Sequence, residues 1–417
     1  MKSVGLIVEY NPFHNGHYYH MQQSIRQTGA DVAIAVMSGY FLQRGEPALV
    51  SKWLRTKMAL AGGADLVVEL PYAFSTGKAE IFANGAVSLL TALKVDKVCF
   101  GSEEGHIEPF RRTIEFLENH RDPYDNRLKS FLSKGFSFPK ASSLAFESLG
   151  AGEETVDLSR PNNILGFHYV KAIHDQNSAV KAATIPRIGA GFHDPGLSKK
   201  KIASATGIRN TIVSGGEPLE NIRRVIPETT YRLLRDHNAK YGMFHSWERL
   251  FPFLQYKLLT STPETLGRIY EAEEGLEYRM LQSIKQADSF QSFMERLKTK
   301  RYTWTRLQRL CAHVLTNTTK NEMAPVLKRP RAPYIRILGM TEHGQGYLNQ
   351  IKKGTGLPIV STLSQHDDPL LELDERAADC YALGYPKTFR AEKLREEYAT
   401  PPIRVSRGGG RPSNQTS

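Results

Sequence analysis

The chain has 417 residues, 40% hydrophobic and 24% charged, with 55 Lys+Arg against 43 Asp+Glu and a formal net charge of +12. That length allows a large core and predicts two domains. No apolar run approaches the roughly 20 residues that span a bilayer. The sequence opens directly on a strand-like run, so no secretory leader is expected. The three cysteines, Cys99, Cys311 and Cys380, lie too far apart for metal-ligand spacing, and an odd, sparse count suits a reducing cytoplasm.

The continuous apolar run Val4–Val8 reads as a strand buried on both faces. Asn11-Pro12 breaks it into a turn. His14-Asn15-Gly16-His17 then opens a helix running to about Thr28. A strand feeding a helix N-terminus presents free backbone N–H groups and a positive dipole end, a seat for phosphate. His14 and His17 add donors that can follow charge on a reacting phosphate. Gly16 lets a base or ribose approach the backbone. Four letters alone are better read as a capped surface helix with two incidental histidines. Their place at the first strand-to-helix turn of an α/β domain favours a nucleotide site.

Asp31–Met37 is a second buried strand. Ser51 caps a helix reaching Ala61, Asp65–Leu70 is a third strand, and Lys78–Leu93 is helical. Lys97–Gly101 and Ala182–Pro186 are the fourth and fifth strands. Helices are predicted between them at His106–His120, Asp125–Lys134, Ser137–Ser148 and Asn163–Asp175. Alternation of this kind implies a parallel, Rossmann-like sheet. Its C-terminal edge should gather the polar loops: Ser38-Gly39, Gln43-Arg44-Gly45-Glu46, Gly101-Ser102 and Arg187-Ile188. Arg44 and Lys52 suit phosphate or are solvated charges. Asn162 or Asn163 is expected as an N-cap. In Lys199–Arg209, Ser204 and Thr206 sit at a helix start with Arg209 about one turn on, an arrangement that holds a β- or γ-phosphate or merely caps a basic helix.

The pair His14-Asn15-Gly16-His17 and Ser204-Ala-Thr-Gly-Ile-Arg209 resembles the two signatures of the HxGH nucleotidyltransferase superfamily. The longer stretches Gly5–His17, Met37–Pro47, Ser51-Lys-Trp53, Glu69-Leu-Pro71, Phe100-Gly-Ser102 and Arg160-Pro-Asn-Asn163 resemble the bacterial tRNA(Met) cytidine acetate ligase family. The likeness runs through most of the chain. Ala203 departs from the isoleucine often found before the Ser-x-Thr turn. The resemblance implies a two-step reaction. Acetate attacks ATP to give acetyl-adenylate and pyrophosphate, and the acetyl group then passes to N4 of the wobble cytidine of elongator tRNA(Met). It implies catalytic roles for His14, His17 and Arg209. It implies ATP contacts at Ile7, Val8, Glu9, Tyr10, Asn11, Pro12, Phe13, His14, Asn15, Gly16, His17, Tyr18, Tyr19 and His20, and further contacts at Gly101, Asn162, Arg187, Ile188, Ser204 and Thr206. Mg²⁺ is expected with ATP, and no all-protein metal cage is evident.

Residues 1–217 carry 24 Lys+Arg against 21 Asp+Glu, and residues 218–417 carry 31 against 22. The basic excess therefore lies outside the expected catalytic domain and suits a polyanion. The second half reads as mainly helical, with helices at Glu228–His237, Ser246–Leu259, Thr262–Leu276 and Gln286–Leu297. Lys298–Arg336 holds ten Lys+Arg against Glu322 alone. Tyr302, Trp304 and Tyr334 are interleaved for base stacking. Lys298, Lys300, Arg301, Arg306 and Arg309 are the expected tRNA contacts, although such runs are often solvated faces. Tyr334–Leu338 and Pro358–Val360 suggest a small α/β unit, with Lys352–Gly356 as another possible phosphate contact. Asp374–Leu383 reads as helical, and residues 404–417 read as a disordered tail. The expected division is thus an ATP-binding domain over 1–217, a tRNA-binding region over 218–403, and the tail. A small-molecule adenylyltransferase explains the histidine motif equally well but not the basic extension. A non-catalytic RNA-binding protein leaves the paired phosphate motifs unexplained.

Overall fold

The computed structural model describes residues 1–150, 152, 154–187, 203–213 and 218–406. Ile188, Lys199–Lys201 and residues 407–417 lie outside them. The first half alternates as expected: β1 (Ser3–Val8), α1 (Asn15–Thr28), β2 (Val32–Ser38), α2 (Lys52–Gly62), β3 (Leu66–Leu70), α3 (Tyr72–Ser75), α4 (Ala79–Ala92) and β4 (Lys97–Ser102). Helices α5 (Glu108–Asn119), α6 (Arg121–Ser133), α7 (Phe138–Glu147) and α8 (Pro161–Asp175) precede β5 (Lys181–Pro186), and α9 (Ala205–Val213) follows it. All of β2 and β3 is buried, which is why they read as unbroken apolar runs rather than alternating ones.

The sheet order is β5-β4-β1-β2-β3-β6-β7, with β8 paired to β6. β1 lies parallel between β2 and β4. Successive strands after β1 run one way, while β4 and β5 lie on its other side. The order therefore reverses at β1, the topological switch point where open α/β sheets bind ligands beyond their strand ends.

The second half is helical through α10 (Glu228–Tyr241), α11 (Trp247–Leu259), α12 (Pro263–Gly267), α13 (Leu276–Ile284), α14 (Phe290–Leu297), α15 (Trp304–Leu315) and α16 (Lys320–Lys328). The single helix expected over Thr262–Leu276 is broken. Ile269 bridges Thr319, the Tyr270 N–H donates to the Thr318 carbonyl, and Glu271, Glu274 and Gly275 adopt positive φ. Helix α14 starts only at Phe290, where Ser289 accepts from the Ser292 N–H.

The strands expected near Tyr334 and Pro358 form as β6 (Ile335–Thr341) and β7 (Ile359–Val360), with α17 (Glu342–Ile351) between them. They extend the main sheet: β6 pairs antiparallel with β3. After α18 (Pro369–Ala382), α19 (Lys387–Leu394) and α20 (Glu396–Ala399), β8 (Ile403–Val405) pairs with β6. Arg404 and Val405 thus belong to the sheet, not to a disordered tail. One buried core runs from β2, β3 and α4 through to Trp247, Leu310 and Tyr381, so the helical half shares its interior with the α/β half.

A buried charge cluster ties the C-terminal helices to this sheet. Lys52, fully buried, contacts Glu69 and Glu397 at 2.7 Å each, and Arg336 donates to Glu397 at 2.6 Å. Lys52 is therefore a structural cation and not the phosphate partner its position suggested.

Candidate active site

Tyr10 and Phe13 are fully buried with ring centroids 4.7 Å apart, and Tyr10 adopts φ 50°. This packing anchors the turn between β1 and α1. The Asn11 Oδ1 accepts the Leu49 N–H at 2.7 Å. His14 is itself the N-cap of α1, its Nδ1 accepting the Gly16 N–H at 3.0 Å. The backbone N–H of His14 lies 3.4 Å from His17 Nδ1, and the two rings stack at 3.7 Å between centroids. Each Nδ1 acts as acceptor, which places the ring proton on Nε2.

A cleft of about 300 Å³ opens at the C-terminal ends of β1, β4 and β5. Of the residues expected to hold ATP, Ile7, Val8, Glu9, His14, Gly16, His17, Tyr19, His20, Gly101, Asn162, Arg187, Ser204 and Thr206 line it. The N-terminal motif and the Ser204–Thr206 turn, far apart in sequence, therefore share one cavity. Ser204 Oγ accepts the Gly207 N–H at 3.1 Å and so sits at the start of α9. Two helix N-termini, those of α1 and α9, meet the cleft.

Other expected residues stand behind its walls. Tyr10, Asn11 and Phe13 are buried supports, and Pro12 lies within the same turn. Asn15 donates to the Arg224 carbonyl, and Tyr18 is exposed. Arg209 is not in the lining. Its Nη1 donates to the Asn11 carbonyl at 3.1 Å and its Nη2 to Glu46 at 2.8 Å.

Asn162 bridges Glu103 and Arg187, donating to one at 2.5 Å and accepting from the other at 3.1 Å. Neither asparagine caps α8, whose N-cap is Arg160 with Pro161 inside the first turn. Asn163 instead accepts the backbone N–H groups of Glu103 and Glu104, holding the loop after β4. At Gly101 a Cβ would press on the Arg187 side chain, so glycine keeps that wall open.

Burial holds the cleft histidines neutral. His14 is pushed down to about 3 by burial, then by Arg187 and Arg209. His20 falls to about 4 through burial and Arg187, and His17 drops well below its ordinary value by burial and its histidine neighbours. His20 Nε2 has no hydrogen-bond partner among the described residues. Neutral donors beside Arg187 suit an anionic ligand. Phe82, Phe100, Leu165, Tyr169 and Ile185 give the cleft an apolar side. Helix α4 contributes Phe82 and α8 contributes Leu165 and Tyr169. Ordinary helical spacing gave no sign that these three face a ligand.

The loop after β2 closes another side through Gln43 and Arg44. The helical half fixes that loop. Trp247 Nε1 donates to the Gly45 carbonyl at 3.0 Å, and Gln308 Nε2 to the Arg44 carbonyl at 3.0 Å. Gly45 has φ +76°, and a Cβ there would overlap the Arg309 backbone.

A family model described as HIGH Nucleotidyl Transferase matches residues 1–397. The tRNA(Met) cytidine acetate ligase of Halalkalibacterium halodurans is 55% identical over 97% of this chain and 98% of its own length. That of Bacillus subtilis is 49% identical over 97% of each. The chain belongs to the tRNA(Met) cytidine acetate ligase family. The crystal structure of apo Thermotoga maritima TmcAL superposes with TM-score 0.90 at 34% identity, covering 98% of this chain and all of that one. The same enzyme bound with alpha-thio ATP gives TM-score 0.88 at 33% identity, with the same coverage.

The residues expected to meet tRNA divide in this member of the family. Lys298, Lys300 and Arg301 are exposed, with Arg301 donating to Glu274 at 2.6 Å. Arg306 reaches Glu273 at 3.2 Å and lies over the Tyr302 ring. Arg309 is buried and paired to Glu271 at 3.0 Å, so it is a structural cation rather than an RNA contact. Tyr334 is fully buried and donates to Asp374 at 2.7 Å; Tyr302 is also buried and donates to Glu274 at 2.6 Å. Neither is free to stack on a base. The charge run looked unbalanced because its acidic partners, Glu271, Glu273, Glu274 and Glu397, lie outside it in sequence. Among the described residues no helix is long and apolar enough to cross a membrane.

Proposed function

We propose that this protein is an ATP-dependent ligase that acetylates a cytidine of tRNA(Met), using acetate activated as acetyl-adenylate. The observation that carries this reading is the meeting of His14, His17, Ser204 and Thr206 in one cleft at the sheet's switch point. Full-length relatives named for that activity support it.

Acetate is a weak nucleophile and a poor acyl donor. Attack of its oxygen on the α-phosphorus of ATP expels pyrophosphate and leaves a mixed anhydride. The N4 amine of the wobble cytidine then attacks the acetyl carbonyl and AMP departs. No serine or cysteine nucleophile is needed, because the phosphate is the activating group.

The neutral Nε2–H groups of His14 and His17, the backbone N–H groups at the two helix starts, and Ser204 and Thr206 donate to phosphate oxygens. Arg209 joins them by exchanging Glu46 for phosphate. These donors stabilise charge that grows at the α-phosphorus and on leaving pyrophosphate. Glu9 is the one carboxylate in the cleft lining among the described residues. Mg²⁺ accompanying ATP would therefore be held by phosphate oxygens and water, not by a protein cage. Lys298, Lys300 and Arg301 offer exposed charge for the tRNA backbone, and the reaction belongs in the cytoplasm with its tRNA.

The test incubates protein, ATP, ¹³C-acetate and tRNA(Met), then reads nucleosides by mass spectrometry. Labelled N4-acetylcytidine with AMP and pyrophosphate is expected. Labelling only when acetyl-CoA replaces acetate, or turnover of a mononucleotide without RNA, would overturn the reading.

A further inference from the structure

The transfer half of the proposed reaction raises a proton question. The exocyclic amine of cytidine is a neutral amide-like nitrogen with little basicity. As its lone pair forms the C–N bond, an N–H proton must leave, or the tetrahedral adduct collapses back to the amine. The histidines of the cleft are poor acceptors for it, His20 because burial and Arg187 push it down to about 4. His14 Nδ1 is already occupied by the Gly16 N–H, and His17 Nδ1 faces the His14 N–H. Their remaining ring nitrogens carry protons and donate. The arginines Arg44 and Arg187 cannot accept at all.

Glu9 stands at the end of β1 in the same wall. It is partly buried, and its Oε1 accepts the Gln43 backbone N–H at 2.8 Å. Arg55 donates from Nη1 to the Glu9 backbone carbonyl at 2.7 Å and to the Ser38 carbonyl, and from Nη2 to the Gly39 carbonyl. Both ends of the residue are thus fixed, backbone from α2 and side chain from the loop after β2. A residue positioned this way cannot turn from the cleft without breaking the loop.

We propose that Glu9 is the general base of acetyl transfer, taking the N4 proton of the target cytidine as the amine attacks the acetyl carbonyl. In this step the C–N bond forms and the carbonyl electrons move onto oxygen. The proton passes to the Glu9 carboxylate. On collapse the C–O bond to the phosphate breaks, and AMP leaves with that electron pair. Glu9 then gives its proton to water.

The surroundings tune the carboxylate for the task. Burial raises its pKa above the usual carboxylate value, and the Gln43 N–H pulls it back. Glu46 from the loop after β2 raises it further, while Arg44 of that loop and Arg209 of α9 lower it. Arg55 from α2 and Tyr169 from α8 also interact electrostatically with it. A carboxylate whose pKa is raised is a stronger base than a solvent-exposed one.

The proposal rests on the acetyl-adenylate reading, and the experiment separates the two. Acetate-dependent exchange of labelled pyrophosphate into ATP reports adenylate formation. Single-turnover transfer from synthetic acetyl-adenylate to tRNA(Met) reports the second step. Glu9→Gln retains an oxygen for the Gln43 N–H while removing the basicity and the charge. Relative to wild type, transfer should fall about 10²-fold further than exchange, and Glu9→Asp should recover part of the transfer. Wild-type transfer should climb with pH through the acidic range and level off, and Glu9→Gln should lose that climb. Transfer at wild-type speed in Glu9→Gln, or equal losses in both steps, would overturn the assignment. A wild-type protein that neither exchanges pyrophosphate nor transfers acetyl would instead overturn the underlying reaction.

Discussion

Arg209 donates from Nη2 to Oε2 of Glu46 over 2.8 Å, joining α9 to the loop after β2. The guanidinium also reaches the Asn11 carbonyl, so one side chain ties together three segments around the cleft. On the proposed reading, an arriving triphosphate competes with Glu46 for this cation. Arg209→Ala should therefore cut acetate-dependent pyrophosphate exchange by about 10²-fold, the cost of one well-placed donor to developing charge. Filter binding of tRNA(Met) should be unchanged. Normal exchange with lost tRNA affinity would reverse the roles.

Gly45 carries the grip of the helical half on that same loop. Gly45→Ala forces a side chain into positive φ, at about 1–2 kcal/mol, and into the backbone of Arg309. A lowered melting temperature and a weakened exchange rate are expected together, because Gln43, Arg44 and Glu46 move with the loop. Unchanged melting would show that the loop is not seated on α15 as described.

Lys52 neutralises Glu69 and Glu397 in a buried cluster. Lys52→Met leaves Arg336 to face both buried carboxylates, Glu69 and Glu397, a loss of about 3–5 kcal/mol in urea unfolding. A loss under about 1 kcal/mol would mean that the cluster is open to water.

Much of the fold was legible in the sequence because the strands are buried on both faces and the helices between them end at caps or turns. Val32–Ser38 and Leu66–Leu70 announced themselves in this way, and Ser51 was read correctly as a cap, its Oγ accepting the Leu54 N–H. The break at Ile269 was not legible, since it depends on a bridge to Thr319 fifty residues on. Nor was the burial of Arg309, whose partner Glu271 lies outside the basic run, 38 residues before it in the chain. In the cleft, the motif residues could be found from their place at strand-to-helix turns together with the family resemblance. Phe82, Leu165 and Tyr169 could not, because a helix face turned to a ligand has the same pattern as one turned to a core.

The histidines make stability depend on pH in one direction. His14 titrates near 3, His20 near 4 and His313 near 3 in the folded chain, each lowered chiefly by burial. In the unfolded chain histidine titrates near 6.5. The unfolded state therefore binds more protons below that value, and the histidine contribution is full above about pH 6.5 and lost as pH falls from there through about 3. Melting temperature should drop on acidification across that window, and His313→Asn should flatten the drop. A melting temperature that rises toward pH 5 would contradict the assignment.

Lys298, Lys300 and Arg301 replaced together by alanine should weaken tRNA(Met) binding and reduce the salt slope by roughly two to three. Arg309→Ala should leave the slope unchanged while destabilising the fold, since its charge is spent on Glu271. Equal slopes for wild type and the triple variant would place the RNA elsewhere.

The most direct test of the whole scheme follows oxygen. With acetate labelled by ¹⁸O in its carboxylate, attack on the α-phosphorus leaves one acetate oxygen on the phosphate. Each acetyl group transferred to tRNA(Met) should therefore release one AMP carrying a single ¹⁸O. Label in orthophosphate with ADP as product, or AMP without label, would contradict it.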